Sequence, residues 1–319
     1  MPVSKESAIV TVATVREPTE EGAIECVFNE REQIFALSPT VKAQAAVVER
    51  LRAAFESNVP VTATLDPGRA TVQKVEPLSE RELRQFERTR TMVEEPDKPV
   101  RIKLDSIDPT TFNIVGHKLD FTAFRLCNRV IPSYSVAKTI FDFCAAQSCH
   151  LPGPPAVTPC IPFQYVIDGC YARAHKMRQI IEDKYGYCCE KVFSFANQGN
   201  DRLAVLAGKW GGCCVTWWYH VAPLVRVRIR LRLGFINLDF VLAMVIDPGM
   251  FDKPVLLSTW LGAQEHVPCW PTANLSMYSI QPGTAYTPAN YAGTAFTTDP
   301  TYSATNAKLT QYANLTTCP

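Results

Sequence analysis

The stretch "DGCYARAHKMRQII", residues 168–181, decides how this chain is read. Tyr171, Ala174, Met177 and Ile181 recur at helical spacing, while Arg173, Lys176, Gln179 and Asp183 fall on other faces. The pattern predicts an amphipathic helix ending at Gly186. Asp168-Gly169 makes a tight entry, so Cys170 stands in the first turn. Unpaired N–H groups and the helix dipole favour an anion there. A thiol in that place is expected to have a lowered pKa and to act as a nucleophile. The same N–H groups can hold an oxyanion during acyl transfer. The competing reading makes Cys170 one half of a disulfide.

A nucleophilic thiol needs a base, and the chain has five histidines. His175 shares the helix but lies roughly 140° around it from Cys170, so it reads as a helix-surface or packing residue. His117, His150 and His266 fall in loop-like stretches. His220 ends "WWYH" on a strand-like run, and Asp247 closes the next apolar strand in "MVIDPGMF". A carboxylate at that tip is costly unless partnered. Antiparallel pairing of the two strands would set His220 beside Asp247. Helix-borne Cys, strand-borne His and strand-borne Asp follow the order of papain-like and transglutaminase-like folds, and form a Cys-His-Asp triad by geometry.

Outward from these residues, the 319-residue chain has room for one large domain or two ordinary ones. Apolar residues make up 47% and charged residues 20%, a globular composition. A net charge of +1 supplies no field to recruit nucleic acid or an anionic membrane. No run reaches the roughly 18 apolar residues of a membrane span. Neither partner is expected. Of 12 cysteines, only Cys26 precedes residue 127, which suggests a disulfide framework and an oxidising destination. The absence of any CxxC pair argues against zinc, and no metal is expected. The members of each doublet, Cys188-Cys189 and Cys213-Cys214, are expected to serve separate partners. "MPVSKESAIV" lacks a secretion-signal core, so an exported form would begin after a removed signal.

Residues 8–76 alternate strand-like runs with one helix that opens at Ser38-Pro39, and a hairpin is expected around Asp66-Pro67-Gly68. This is a compact α+β module with little visible chemistry. "SERE" from Ser79 begins a charged helix that leads to a linker. A helix is expected over 135–147. Strands follow over "CCVTWWYHVAPLV", "RVRIRLRLGF" and "FVLAMVIDPGMF". The alternating Arg226, Arg228, Arg230 and Arg232 read as a solvated face, or alternatively as a patch selecting acidic substrates. The Thr/Tyr/Asn-rich tail would look disordered but for Cys318, which could staple it to Cys269.

The motifs "CIPFQYVIDGCYARAHKMRQI", "GCCVTWWYHVAPLV" and "VIDPGMF", in this order, resemble bacterial secreted protein-glutaminase, the protein-glutamine deamidase. "VPVTATLDPGRATVQKVEPLS" resembles that enzyme's pro-region. The resemblance implies an α+β chain: a pro-region module (1–105), a linker and processing region (106–129), and a papain/transglutaminase-like catalytic domain (130–319) with an antiparallel sheet and helices. It implies a zymogen, secreted and monomeric, that is activated by a processing protease and deamidates exposed glutamine in protein or peptide substrates. Cys170 then corresponds to the nucleophile, His220 to the general acid and base, and Asp247 to its orienting carboxylate. No cofactor is implied, and the Cys170 N–H is expected to be one oxyanion donor. Trp217, Trp218 and Tyr219 are expected to bind substrate beside His220; Trp218 replaces a smaller residue of the family. Pro223 replaces an apolar residue and is expected to mark a strand edge. Cys149 is expected to pair with Cys160, and Cys189 with Cys213 or Cys214, leaving Cys26 free. Transglutaminase-like cross-linking or cysteine proteolysis would use the same triad and stays open as the alternative.

Overall fold

The computed structural model describes residues 5–19, 22–37, 42–90, 102–103, 129–197, 199–233 and 236–318, with the side chains of 42–43, 89, 102–103, 231–233 and 236–238 left aside. The expected helix opening at Ser38-Pro39, Cys127, and all of the 106–129 linker but its last residue lie outside the described residues.

The first module contains β1 (Glu6–Val10), β2 (Val12–Val15), β3 (Ile24–Phe28), β4 (Phe35–Leu37), α1 (Lys42–Ser57), β5 (Val61–Asp66), β6 (Thr71–Pro77) and α2 (Glu80–Thr89). Its strands form one sheet in the order β1-β5-β6-β4-β3-β2. Val47, Val48, Leu51 and Ala54 of α1 recur at helical spacing and close a core with Val10, Phe28, Phe35 and Val75. The Asp66-Pro67-Gly68 turn joins β5 to β6, with Asp66 accepting a bond from the Arg69 N–H. Ser79 and Glu82 cap α2 reciprocally, as the "SERE" pattern predicts.

The rest contains β7 (Ile102–Lys103), α3 (Tyr134–Ala145), α4 (Cys170–Tyr185), β8 (Glu190–Phe195), β9 (Leu203–Leu206), β10 (Cys214–Trp217), β11 (Tyr219–Leu233), β12 (Ile236–Val245), β13 (Val255–Leu256), α5 (Leu257–Gly262), β14 (Met277–Gln281), β15 (Ala285–Pro288), β16 (Phe296–Thr298) and α6 (Ser303–Tyr312). An antiparallel sheet in the order β13-β12-β11-β8-β14-β7 carries α3 and α4. The architecture is α+β throughout. The tail is folded as three strands and a helix.

Several expectations are corrected. The run 213–225 is two strands, broken at Trp218 where the chain passes from the β9–β10 pair into the large sheet. In turn β11 continues unbroken through the arginine-rich run to Leu233. Pro223 lies inside the sheet, between β8 and β12, not at an edge. It is tolerated because its missing N–H lies on the side of its carbonyl, which bonds Ile246 just where β12 has ended.

Helix α4 is not amphipathic in its first two turns, since Cys170 through Met177 are all buried. Sheet, tail and first module enclose it, and Ala13, Val27 and Ile34 of that module join its core cluster. The polar side chains there are satisfied in place. Arg173 donates to the Tyr165 and Asp168 carbonyls at 2.5 and 2.7 Å, and Lys176 to the Thr158 carbonyl at 3.1 Å. Of the two readings of His175, packing holds and helix surface does not, since it is buried and bonds the Asp299 carbonyl and Lys191.

The arginine row is likewise divided. Arg228 and Arg230 are solvated and lie 3.4 Å from Asp239, but Arg226 is buried against Glu190 at 2.9 Å. Glu190→Ala would take from the buried Arg226 guanidinium its 2.9 Å carboxylate partner, at a cost of about 3 kcal/mol. Urea unfolding of the two chains measures that loss. An unchanged midpoint would show that the pair carries no net stability.

Disulfides join Cys149 to Cys160, Cys213 to Cys318 and Cys214 to Cys269, and Cys188 is also bonded. The first pair and the free Cys26 match expectation. The Cys269–Cys318 staple and a Cys189 bridge do not form; Cys189 is buried and free. The Cys213-Cys214 doublet points its two thiols to opposite partners, so the tail is tied down at both ends.

Candidate active site

Gly169 precedes Cys170 at φ +89°, a conformation that glycine adopts without strain, and a Cβ there would meet the Tyr312 ring at 3.0 Å. This turn places Cys170 at the start of α4. His220, second residue of β11, and Asp247, just beyond β12, are brought together by the antiparallel pairing of those strands. His220 Nε2 lies 2.9 Å from Asp247 Oδ2, which also accepts a 2.9 Å bond from Trp260 Nε1. The Trp217 ring stacks on the imidazole at 4.4 Å and 8°, and Trp260 lies nearly parallel at 5.4 Å. The structure thus brings His220 to Asp247, with the Cys170 sulfur within 4.8 Å of a His220 nitrogen.

A fourth group was not legible. Glu32, in the β3–β4 loop of the first module, inserts its carboxylate so that its oxygen, the Cys170 sulfur and a His220 nitrogen lie within 4.8 Å of one another. Its Oε1 accepts from the Cys170 N–H at 3.2 Å and from Arg173 Nη2 at 3.4 Å. Its Oε2 is 3.5 Å from His220 Nδ1, an ion-pair distance. The Glu32 N–H donates to Asp168 Oδ1 at 3.0 Å, and its carbonyl accepts from the Trp218 N–H at 3.1 Å. Gln33 bridges Trp217 in antiparallel sense, and Trp218 Nε1 donates to the Arg31 carbonyl at 2.6 Å. Residues 31–33 therefore lie in the cleft, with a bend at Glu32 and a single bridge at Gln33. Only a contact about 140 positions away marks Glu32, and no local pattern could reveal it. The trio offers three metal donors, but one of them comes from the first module.

The residues expected to bind substrate occupy different places. Trp218 holds the inserted segment by its main chain and its indole. Trp217 supports the imidazole, and its Nε1 donates to the Val166 carbonyl at 2.9 Å. Tyr219 packs among Phe193, Phe195 and Trp218.

Electrostatics in the intact chain correct the expectation of an activated thiol. Burial first, and then the Glu32 carboxylate, push the Cys170 pKa well above the usual thiol value, overriding the helix start. Burial works against a charged His220, but the Asp247 hydrogen bond and the facing Glu32 carboxylate outweigh it and raise its pKa above 6.5. Burial is likewise outweighed at Asp247, whose pKa the His220 and Trp260 bonds lower. Because the folded His220 pKa is raised, its stability contribution is full below 6.5 and is lost as pH rises through the folded value. Subtracting the stability–pH curve of His220→Asn from that of the parent chain should show this alkaline decline. A flat difference would contradict a raised value.

A glutaminase family model matches residues 137–264. A crystal structure of pro-protein-glutaminase is similar at a TM-score of 0.69 and 28% identity, over 98% of this chain and 95% of that one. Protein-glutaminase from Chryseobacterium proteolyticum, solved by NMR, is 34% identical over 59% of this chain and 91% of that one, at a TM-score of 0.49. No curated protein matches. The fold and comparisons define a hydrolase that deamidates glutamine in proteins. The chain belongs to the protein-glutaminase family, and its likeness to the pro-form spans nearly its whole length.

Proposed function

We propose that Cys170, His220 and Asp247 hydrolyse the side-chain amide of protein-bound glutamine, and that the intact chain is the zymogen. One observation carries this reading. The Glu32 side chain, chemically the product of such a reaction, is seated with one oxygen at Cys170 N–H and Arg173 and the other facing His220. A substrate carboxamide placed likewise has its carbonyl oxygen between two donors and its nitrogen beside Nδ1. His220 Nδ1 takes the Cys170 proton, the resulting thiolate attacks the carboxamide carbon, and the Cys170 N–H and the Arg173 guanidinium hold the oxyanion. Collapse expels ammonia as His220 Nδ1 delivers its proton. His220 then takes a proton from water, which attacks the thioester and releases glutamate and free thiol. Asp247 and Trp217 orient the imidazole, and Trp218 holds the substrate main chain. No cofactor takes part.

Residues 1–105 serve as the pro-region and 130–319 as the catalytic domain, of papain/transglutaminase-like type. A protease acting within 106–129 releases the inhibitory segment. The disulfides suit an extracellular destination, and among the described residues no helix is long and apolar enough to cross a membrane. The active form is a monomer with protein substrates.

The test is casein incubated with the cut chain. Ammonia release and a gain of about one dalton per site, without fragments or cross-links, are expected of an acyl-thioester hydrolase. Fragments or lysine cross-links would instead establish proteolysis or transglutamination. A sharper check needs no external substrate. Glu32→Gln in the intact chain should lose ammonia, about 17 daltons, by forming a thioester to Cys170, or return to glutamate once water enters. A glutamine that persists at position 32, in a chain active after cutting, would refute the substrate-like placement.

A further inference from the structure

We propose that the activated enzyme prefers glutamine preceded by arginine or lysine, through a subsite formed by Asp168, Tyr171 and Tyr312. This rests on the glutaminase reading of Cys170. Residues 31–33 show how a chain lies in the cleft, because Glu32 is held at both main-chain polar groups and at its side chain. Arg31 therefore marks where the side chain before the target glutamine goes.

That side chain is buried. Its Nη1 donates to the Tyr171 hydroxyl at 3.1 Å, and its Nε is 3.7 Å from Asp168 Oδ2. The Tyr312 hydroxyl donates to the same Asp168 oxygen. On the far side, Nη2 pairs with Glu6 at 2.6 Å.

These partners divide by origin. Arg31 and Glu6 belong to the first module, whereas Asp168, Tyr171 and Tyr312 belong to the catalytic part. When the first module leaves, Asp168 loses the Glu32 N–H from one oxygen and a guanidinium from the other. The Tyr171 hydroxyl loses its donor. A carboxylate and a phenol deprived of such partners in a recess favour whatever restores them. The substrate N–H at the glutamine replaces the first, and a basic side chain one residue earlier replaces the second. Arginine, with its fork of donors, reaches both Asp168 and Tyr171 as Arg31 does.

Among the described residues, two cations of the catalytic part stand nearby, Arg173 on the Asp168 carbonyl and Lys308. Lys308 Nζ is 3.4 Å from the Tyr312 hydroxyl. Burial, and then Arg31, hold its pKa down to about 7 in the intact chain, where it already coexists with the seated Arg31 guanidinium. The preference is therefore expected to survive its presence. A glutamate before the target would face Asp168 and be disfavoured.

The test uses the full chain, purified and then cut within 106–129, with four otherwise identical peptides carrying Arg, Lys, Ala or Glu before a single glutamine. The Arg peptide should exceed the Ala peptide in kcat/KM for ammonia release by roughly tenfold, with Lys between and Glu last. Tyr171→Phe and Asp168→Asn should each compress the Arg-to-Ala ratio, whatever they do to absolute rates. A ratio is unmoved by partial loss of folded enzyme, so a purely structural role would leave it intact. Equal kcat/KM for the Arg and Ala peptides would overturn the subsite while leaving the glutaminase reading standing. Failure of a folded, cut chain to deamidate any of the four would overturn both.

Discussion

Cys170→Ala in the cut chain is expected to lower ammonia release from protein glutamine by at least about 10⁴-fold. The reason is covalent. Without sulfur no acyl-enzyme forms, and water must attack an unactivated amide held only by the Cys170 N–H and Arg173. His220→Ala should fall nearly as far, because nothing else at Nδ1 can protonate the departing ammonia. Asp247→Asn should lose on the order of 10²- to 10⁴-fold, since Trp260 and the stacked Trp217 still hold the imidazole while its charged partner is gone. The three losses should not add, because the groups act as one unit. Thermal melts of each variant would separate lost chemistry from lost folding. A well-folded Cys170→Ala chain that retains even one-hundredth of the parent rate would remove the thiol from the mechanism.

Cutting the chain within 106–129 is expected to raise ammonia release by more than about a hundredfold over the intact chain. The inserted segment is part of the same chain, so its effective concentration at the cleft is about millimolar, far above a micromolar protein substrate. Its Glu32 side chain lies against the Cys170 N–H and His220, and the carboxylate opposes ionisation of Cys170. Release opens the sulfur to solvent and removes the Glu32 charge, while the smaller Asp168 effect stays, and leaves Arg173 and the helix start to act on the sulfur. Reactivity of Cys170 toward iodoacetamide should rise in parallel with activity. Equal rates before and after complete cutting, verified on a gel, would refute the zymogen assignment.

Much of the site was readable from local pattern. A glycine-entered helix beginning with cysteine, a strand carrying histidine and a strand ending in aspartate each have a signature within a few residues. Helix α2 and the β5–β6 turn were legible for the same reason. Other features failed because their cause is distant. The face of α4 carrying Arg173 and Lys176 looked solvated, yet carbonyls of the preceding loop satisfy both side chains in the interior. Arg226 looked like its neighbours Arg228 and Arg230, yet Glu190 on the adjacent strand draws it inside. Spacing cannot choose among cysteine partners, so the bridges of Cys213 and Cys214 were open until the tail was placed.

By itself the sequence singled out Cys170, His220 and Asp247, their order along helix and strands, and the family resemblance, since each depends on residue type and short-range periodicity. The tertiary structure alone decided that Glu32 occupies the cleft and that Arg31 fills a recess beside it. It also decided that the thiol is held protonated in the intact chain. Those outcomes depend on burial and on charges brought within a few ångströms from more than a hundred residues away, and the local sequence carries no record of such proximity.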